Sequence, residues 1–309
     1  MASLAERLYV STACLSDKRD LRKVLEIYQY LGISRVEISG AHDWISFEDL
    51  AGLIKQFQAR NMRFIFHNYF PRPKQDFVLN VMSSNAFIQN QTQGLMAQAI
   101  KLAKVTGVDL YCFHAGYLAD AVTKSDGMFD FPGQKTWLNQ QEAEKIFFLN
   151  YQRFFKEFDS TGVLIGLENL FPPRRGPNPS TCCSFEDIQR IMEIPWIKNS
   201  DLGLLIDLGH LKVAAHILGF NPDEFLDQVV DAYGPKIYEV HLSENDGLED
   251  LHRVIEKGSW QLKCLGKFIG TGPVLSGKGT RFSLESRGLE PDELKKNYEL
   301  MVNEMEGVF

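Results

Sequence analysis

The chain has 309 residues, of which 44% are hydrophobic and 24% are charged, with a formal net charge of −7. This length suits one large α/β barrel or two ordinary domains, and the composition is that of a globular protein. The acidic balance provides no bulk attraction for nucleic acid or an anionic membrane, although a local basic groove stays possible. No apolar run approaches the roughly 20 residues that span a bilayer.

The five cysteines indicate a reducing environment. Their number is odd and no CxxC pair occurs, which disfavours a disulfide scaffold. The first residues, MASLAERLYV, lack the basic and apolar regions of a signal peptide. We therefore expect a soluble, cytoplasmic protein with no membrane association.

Short apolar runs alternate along the chain with longer amphipathic stretches. Strands are predicted, in chain order, at 7–13, 34–40, 62–68, 108–116, 163–169, 202–210, 236–244 and 280–288. Helices are predicted at 18–32, 46–60, 83–107, 139–162, 184–194, 221–234 and 290–306. Strands that alternate with helices indicate a parallel sheet. Eight such units in a chain of this length predict an α/β fold, a (β/α)8 TIM barrel, as a single domain over 1–309.

An open, doubly wound sheet is the alternative architecture. Such sheets usually carry a Gly-rich phosphate-binding loop after the first strand. The sequence after residue 13 shows no such loop. The closed barrel is therefore the favoured prediction.

Histidines and carboxylates recur at the carboxyl ends of the predicted strands. They are His67, His114, Glu168, Asp207, His210, His241 and Glu285, and the loop after the seventh strand adds Asp250 and His252. On a barrel, these strand ends converge on the face where active sites are built. Burying such groups together without partners costs several kcal/mol each, and shared divalent cations remove that cost. Mixed His and carboxylate ligands suit zinc, and manganese or iron as alternatives.

Strand alternation supports an inward orientation for these side chains. If His67 faces the barrel axis, both phenylalanines of FIFH face the helices. In YEVH, an inward His241 likewise places Tyr238 and Val240 outward. Each choice sends bulky apolar side chains to the helix layer, as a barrel requires.

The sixth strand, LGLLIDLGH, carries two candidate ligands three residues apart. An alternating strand cannot point both Asp207 and His210 to the same side. We expect Gly209 to break the strand, so that both side chains face inward.

Several motifs together resemble the endonuclease IV branch of the xylose isomerase-like barrel superfamily. They are FHNYFP, CFHAG, GLENL, LLIDLGH, VHLSEND with EDLH, and SLESRG, within residues 60–290. The resemblance implies three metal ions, usually zinc, held by nine positions. It assigns His67, His114 and Glu168 to the first ion. Glu168 bridges to a second ion with Asp207, His241 and Glu285, and His210, Asp250 and His252 hold the third.

The sequence also departs from the DNA repair enzymes of that branch. The loop GAHDWISFEDL is acidic and unlike their DNA-gripping loops, and Phe70 stands where they typically carry Tyr. The second strand, VEISG, instead resembles the sugar isomerase and epimerase members. Those members typically need one metal, at the counterparts of Glu168, Asp207, His241 and Glu285. The resemblance therefore implies one to three ions.

We favour a metal-dependent isomerase or epimerase that acts on a small sugar or sugar phosphate. In this hypothesis, Glu168 and Glu285 exchange a proton at the carbon beside a carbonyl group that the metal polarises. Four basic residues on the long loops are candidates for holding a substrate phosphate or carboxylate. These are Arg72, Lys74, Arg174 and Arg175.

Two other functions stay open. The first is an endonuclease IV-like phosphodiester hydrolase with several zinc ions, which the complete nine-residue set favours. Duplex DNA is the less favoured substrate because phosphate contacts, which need basic residues, supply most non-specific affinity. The second is a non-enzymatic binding module, which would be marked by lost ligands, and none is lost. The sequence names neither the substrate nor the oligomeric state.

Overall fold

A computed structural model describes residues 4–123, 129–158, 162–273 and 279–307. Eight parallel strands form a closed barrel in which each strand pairs with its neighbours in chain order and the last pairs with the first. They are β1 (Leu8–Ser11), β2 (Arg35–Ile38), β3 (Arg63–His67), β4 (Leu110–His114), β5 (Leu164–Glu168), β6 (Leu202–Asp207), β7 (Ile237–Leu242) and β8 (Arg281–Leu284). The predicted (β/α)8 barrel is confirmed.

Helices follow the strands and form the outer layer. They are α1 (Leu21–Tyr30), α2 (Phe47–Gln58), α3 (Ala86–Thr106), α4 (Gln140–Phe158), α5 (Phe185–Met192), α6 (Pro195–Lys198), α7 (Leu208–Leu218), α8 (Pro222–Tyr233), α9 (Trp260–Cys264) and α10 (Pro291–Glu306). The seven predicted helices match α1 to α5, α8 and α10. Residues 159–161, at the end of the predicted helix 139–162, lie outside the described residues.

Helix α7 corrects the prediction for the sixth strand. The strand ends at Asp207 and the helix begins at the next residue, so His210 is helical. Asp207 is the N-cap, and its Oδ1 accepts a hydrogen bond from the His210 backbone N–H at 2.8 Å. The segment is apolar on all sides because it is buried on all sides, which hides helical periodicity. His210 therefore faces the site from the first turn of a helix, not from a broken strand.

Tyr238 corrects a second prediction, because it packs inside the barrel and not on its outer face. It belongs to an interior cluster with Tyr9, Ile65, Leu110, Cys112 and Leu205. The pairing of β6 with β7 shifts register there, since Leu204 pairs with Ile237 but Leu205 pairs with Glu239. Gly203 leaves the necessary space, as a Cβ at that position would overlap the Tyr238 ring. His241 still faces inward, and Val240 faces the helices as predicted.

The remaining sequence predictions concern thiols and membranes. All five cysteines are free and buried. Within the described parts of the chain, no helix has the combined length and apolarity to cross a membrane.

Candidate metal and active site

The first group of candidate ligands joins the ends of β3, β4 and β5. Nε2 of His67 lies 3.4 Å from Oε2 of Glu168, and Nε2 of His114 lies 3.3 Å from the same oxygen. Two ligands about 2.1 Å from one ion in tetrahedral geometry are roughly 3.4 Å apart. The three side chains are therefore spaced to hold one ion.

The second group uses the same carboxylate together with β6, β7 and the residue after β8. Ligand atoms of Glu168, Asp207 and His241 all lie within 4.8 Å of one another. Nδ1 of His241 is 3.7 Å from Oδ2 of Asp207 and 3.3 Å from Oε2 of Glu285. Oε2 of Glu168, Oδ2 of Asp207 and Nδ1 of His241 are buried without a hydrogen-bond partner. Unpaired buried atoms that converge in this way fit a cation, which would satisfy all three.

The third group surrounds Asp250. Its Oδ2 lies 3.5 Å from Nε2 of His210 and 2.6 Å from Nε2 of His252. The second distance is too short for two ligands of one ion, so a third ion requires these two side chains to move apart. His252 has a φ of 45°, a left-handed conformation that is strained for a residue other than glycine. The His252 backbone is thus held in a strained conformation that directs the imidazole into the site.

Backbone carbonyls determine which ring nitrogen faces the third group. Nδ1 of His210 donates to the Asn169 carbonyl at 2.8 Å, and Nδ1 of His252 donates to the Glu285 carbonyl at 3.2 Å. A carbonyl accepts only, so each Nδ1 carries a proton and each Nε2 is directed at the Asp250 carboxylate. Partners of this kind are typical of metal-binding histidines.

Residues that the sequence analysis did not assign lie beside the candidate ligands. The Asn169 side chain accepts from the Asp207 backbone N–H at 2.7 Å and donates to its carbonyl at 3.1 Å. Glu37 contacts His241 Nε2 at 2.6 Å, and Glu239 lies 3.6 Å from the same nitrogen. Glu239 lies two residues before His241 on β7, so strand alternation places both side chains on the same face. The sequence alone could have indicated this.

Burial and neighbouring charges move the pKa values of the two candidate catalytic carboxyls in opposite directions. Burial raises the pKa of Glu168 well above its ordinary value. Burial also acts to raise the pKa of Glu285, but the charges of Arg287 and His252 outweigh it and hold that pKa well below the usual range. Burial lowers the pKa of His67 to about 4. The His67 ring is therefore neutral at pH 7, as a metal ligand must be.

Two of the basic residues predicted to bind substrate lie between β3 and α3. Arg72 forms a two-pronged ion pair with Asp76, with Nη2 2.7 Å from Oδ2. Nζ of Lys74 lies 4.4 Å from the centre of the Trp44 ring. Both side chains are engaged away from the ligand cluster, and their substrate-binding role stays a prediction.

The other two predicted basic residues follow β5. Arg174 pairs with Glu249 at 3.2 Å, and Arg175 is exposed. Arg287 does contact the ligand cluster, because its Nη2 lies 2.7 Å from Oε1 of Glu285. The sequence analysis did not assign it, although it stands two residues after Glu285 in SLESRG.

A cavity of about 190 Å³ opens beside His114 at this end of the barrel. Its walls include Tyr69, Phe77, Tyr117 and Phe129, and none of its described lining residues is Lys or Arg. The described lining of this space is largely aromatic and contains no basic group.

Solved structures with a similar fold include both epimerases and endonuclease IV. A D-tagatose 3-epimerase-like protein is 20% identical with a TM-score of 0.69, over 96% of this chain and 98% of that one. A 3-keto-D-glucoside 4-epimerase from E. coli is 11% identical with a TM-score of 0.65, over 96% and 98%. Endonuclease IV from Thermus thermophilus is 15% identical with a TM-score of 0.62, over 97% and 99%. At these identities the likeness shows the fold alone. No curated protein matches the sequence.

The sequence itself matches one protein family over most of its length. The match covers residues 19–282, from α1 to β8. It includes eight of the nine candidate ligands and all but the last of the strand ends on which they lie. The chain is a member of the xylose isomerase-like TIM barrel family.

Proposed function

We propose that this chain is a divalent-metal-dependent enzyme that moves a proton on a small sugar or sugar phosphate, as isomerases and epimerases do. The proposal rests on the positions of Glu168 and Glu285. Glu168 ends β5 and Glu285 follows β8, and these two strands flank β6 and β7. Asp207 and His241 lie between them. Two carboxylates thus flank one candidate cation position.

The residues fit a cation because their buried ligand atoms lack other partners. A bound divalent ion would polarise the carbonyl and hydroxyl oxygens of the substrate. Zinc suits the mixed His and carboxylate ligands best, with manganese or iron as alternatives, and the three groups allow one to three ions.

The two carboxyls have the opposed environments expected of a proton donor and a proton acceptor. Arg287 and His252 favour the ionised form of Glu285, which suits it to accept a proton. Without a cation, burial raises the pKa of Glu168, so it holds a proton more readily than Glu285 and is the better suited of the two to return one to the substrate. Epimerisation requires such groups on the two faces of the reacting carbon.

The small cavity and its lining support a small polar substrate in preference to a duplex. Its aromatic walls match the apolar faces of a sugar ring. Arg287 is the basic group best placed to contact a hydroxyl or phosphate, because it borders Glu285 and its side chain is 45% exposed. The predicted contacts of Arg72, Lys74, Arg174 and Arg175 belong to the same proposal. The five free, buried thiols support the proposed cytoplasmic location.

The test is exchange of a substrate C–H proton. The protein is loaded with zinc, manganese or iron(II) and incubated in deuterated water with ketoses, aldoses and their phosphates, followed by NMR. We expect exchange on at least one sugar, loss on chelation, and loss in Glu168→Gln and Glu285→Gln. Lys296→Ala, on the exposed face of α10, is the control and should retain exchange. Absence of exchange across the panel would contradict the proposal.

A second candidate function is phosphoester hydrolysis at several ions. The observation that favours it is the convergence of Asp250 with His210 and His252, which a one-ion epimerase does not need. Elemental analysis separates the two candidates. Close to three ions per chain, with cleavage of a small phosphodiester or an abasic-site duplex, would establish the hydrolase and displace the isomerase.

A further inference from the structure

Glu37 reaches His241 across the interior of the barrel. It lies on β2, whereas His241 lies on β7, with β1 and β8 between them. Oε2 of Glu37 is 2.6 Å from Nε2 of His241, and neither residue is exposed to solvent. This contact joins two elements that share no sheet hydrogen bonds.

The distance is that of a hydrogen bond, and a shared ion would require the two side chains to move apart, as at Asp250 and His252. Two ligands of one tetrahedral ion lie roughly 3.4 Å apart, which is well beyond 2.6 Å. Carboxylate oxygens accept, so Nε2 of His241 carries the proton. In the neutral ring, the form that binds a metal, Nδ1 then keeps a lone pair, and that atom is buried without a hydrogen-bond partner near Asp207 and Glu285.

We propose that Glu37 is a positioning residue that holds His241 in the tautomer whose Nδ1 binds the metal. The inference rests on the metal site of the proposed function, but not on which reaction that site catalyses. With the opposite tautomer, an N–H would point at the ligand carboxylates and occupy the position of the ion. Carboxylate partners also increase the basicity of a ligand imidazole.

Glu37 differs in this respect from the groups that orient the other histidines. His210 and His252 are held by backbone carbonyls, which substitution cannot remove. Glu239 also approaches His241, but its Oε1 accepts from the Ser283 hydroxyl and its nearest oxygen is 3.6 Å from Nε2. Glu239 is therefore a matched control, as a buried glutamate of the same barrel interior.

Metal affinity tests the inference directly. Zinc binding by the wild type, Glu37→Gln, Glu37→Ala and Glu239→Gln is measured by competition with a chromophoric chelator. Loss of such a carboxylate partner costs about 10–100-fold in affinity. We expect Glu37→Ala to weaken binding by about 10–100-fold and Glu37→Gln, which keeps a neutral acceptor, by about 10-fold or less. Glu239→Gln should stay within about 3-fold, below that range.

Two further measurements distinguish the proposed positioning role of Glu37 from a purely structural role. Melting in chelator measures stability without metal, and the zinc-induced rise in Tm should shrink in Glu37→Ala but not in Glu239→Gln. Nitrogen-15 NMR of the zinc-loaded wild type should show His241 protonated on Nε2. This measurement needs no variant and decides the matter if Glu37→Ala does not fold.

The outcomes separate this inference from the proposed function. If the wild type binds no divalent metal, the proposed metal site itself is wrong. If the wild type binds zinc and both Glu37 variants bind it equally well, or if His241 is protonated on Nδ1, the role of Glu37 is wrong and the metal site stands.

Discussion

Arg287 holds Glu285 through a contact of 2.7 Å between Nη2 and Oε1, which sets a half-exposed guanidinium against a carboxylate that is 4% exposed. The partner charge matters because burial alone raises the pKa of Glu285, and Arg287 and His252 reverse that effect. A carboxyl whose folded pKa is depressed stabilises the fold above its unfolded pKa and loses that contribution as pH falls through the folded pKa.

Arg287→Met should therefore destabilise the chelator-treated protein at pH 7, and less so in acid. We expect about 1–2 kcal/mol, a value reduced for the solvent exposure of Arg287. Denaturant unfolding at pH 7 and pH 3.5 measures the difference. Arg253→Met is the control, because its pair with Asp246 is long, at 3.9 Å, and exposed. If Arg287→Met lost the same free energy of unfolding at both pH values, the loss would not come from the charge.

Removal of metal should lower stability markedly. The cluster leaves Glu168, Asp207 and His241 with unpaired buried atoms. An ion present at about 1,000 times its Kd adds about 4 kcal/mol to the free energy of unfolding. We expect Tm to fall on chelation and to return when zinc is restored. Asp207→Asn should abolish most of the zinc-dependent rise, whereas Asp227→Asn, on the exposed side of α8, should leave it intact. An unchanged Tm after complete chelation would speak against a bound metal.

His42 should make the protein sensitive to acid. Its Nδ1 donates to the Lys18 carbonyl, and its Nε2 lies 2.7 Å from the Thr12 hydroxyl, which must donate to it. Burial lowers the pKa of His42 from 6.5 to about 4. A buried neutral histidine stabilises the fold above pH 6.5 and loses that contribution as pH falls toward 4.

His42→Gln should therefore be less stable than the wild type at pH 7, but should lose less stability between pH 6.5 and 4. The pKa shift sets an upper limit of about 3 kcal/mol for the difference in acid sensitivity. Equilibrium unfolding of chelator-treated protein across this range provides the measurement. His216→Gln, on the outer helix α7, serves as the control. Parallel pH profiles for the wild type and His42→Gln would contradict the assignment.

Replacement by alanine should lower the stability of the protein at Gly203 and raise it at Gly52. Gly203→Ala forces a methyl group into the Tyr238 ring and should cost about 1–3 kcal/mol through overpacking. Gly52 lies in α2 with nothing within 4 Å of an added Cβ. Gly52→Ala should therefore stabilise by about 0.5–1 kcal/mol. Thermal melts of the two variants decide this, and a harmless Gly203→Ala would contradict the tight packing against Tyr238.

The barrel could be predicted from sequence because each strand is a short apolar run, and a polar candidate ligand stands at or beside the end of each strand from β3 to β8. At His67 the alternation is regular, and the phenylalanines of FIFH do face the helices. The convergence of distant ligands follows from the fold, since a closed barrel brings all strand ends together. The ligands at strand ends needed only this topology, and the ligand roles of all nine residues remain predictions.

The sequence analysis missed features that depend on local backbone geometry, which the periodicity of apolar residues does not encode. His210 looked like a strand residue because the segment around it is buried on all sides. Tyr238 turned inward through a register shift, which is a property of the pairing between β6 and β7. Glu37 stood in VEISG as one polar residue in a strand, and its partner is 204 residues away. Only the closed barrel reveals that contact.

The inward position of the Tyr238 side chain affects how the site can be reached from solvent. Together with Tyr9, Ile65 and Leu110, it fills the barrel beneath the ligand cluster. Among the described residues, the barrel interior is therefore closed below the site. Ions and water would enter and leave from the carboxyl ends of the strands, where the cavity beside His114 opens.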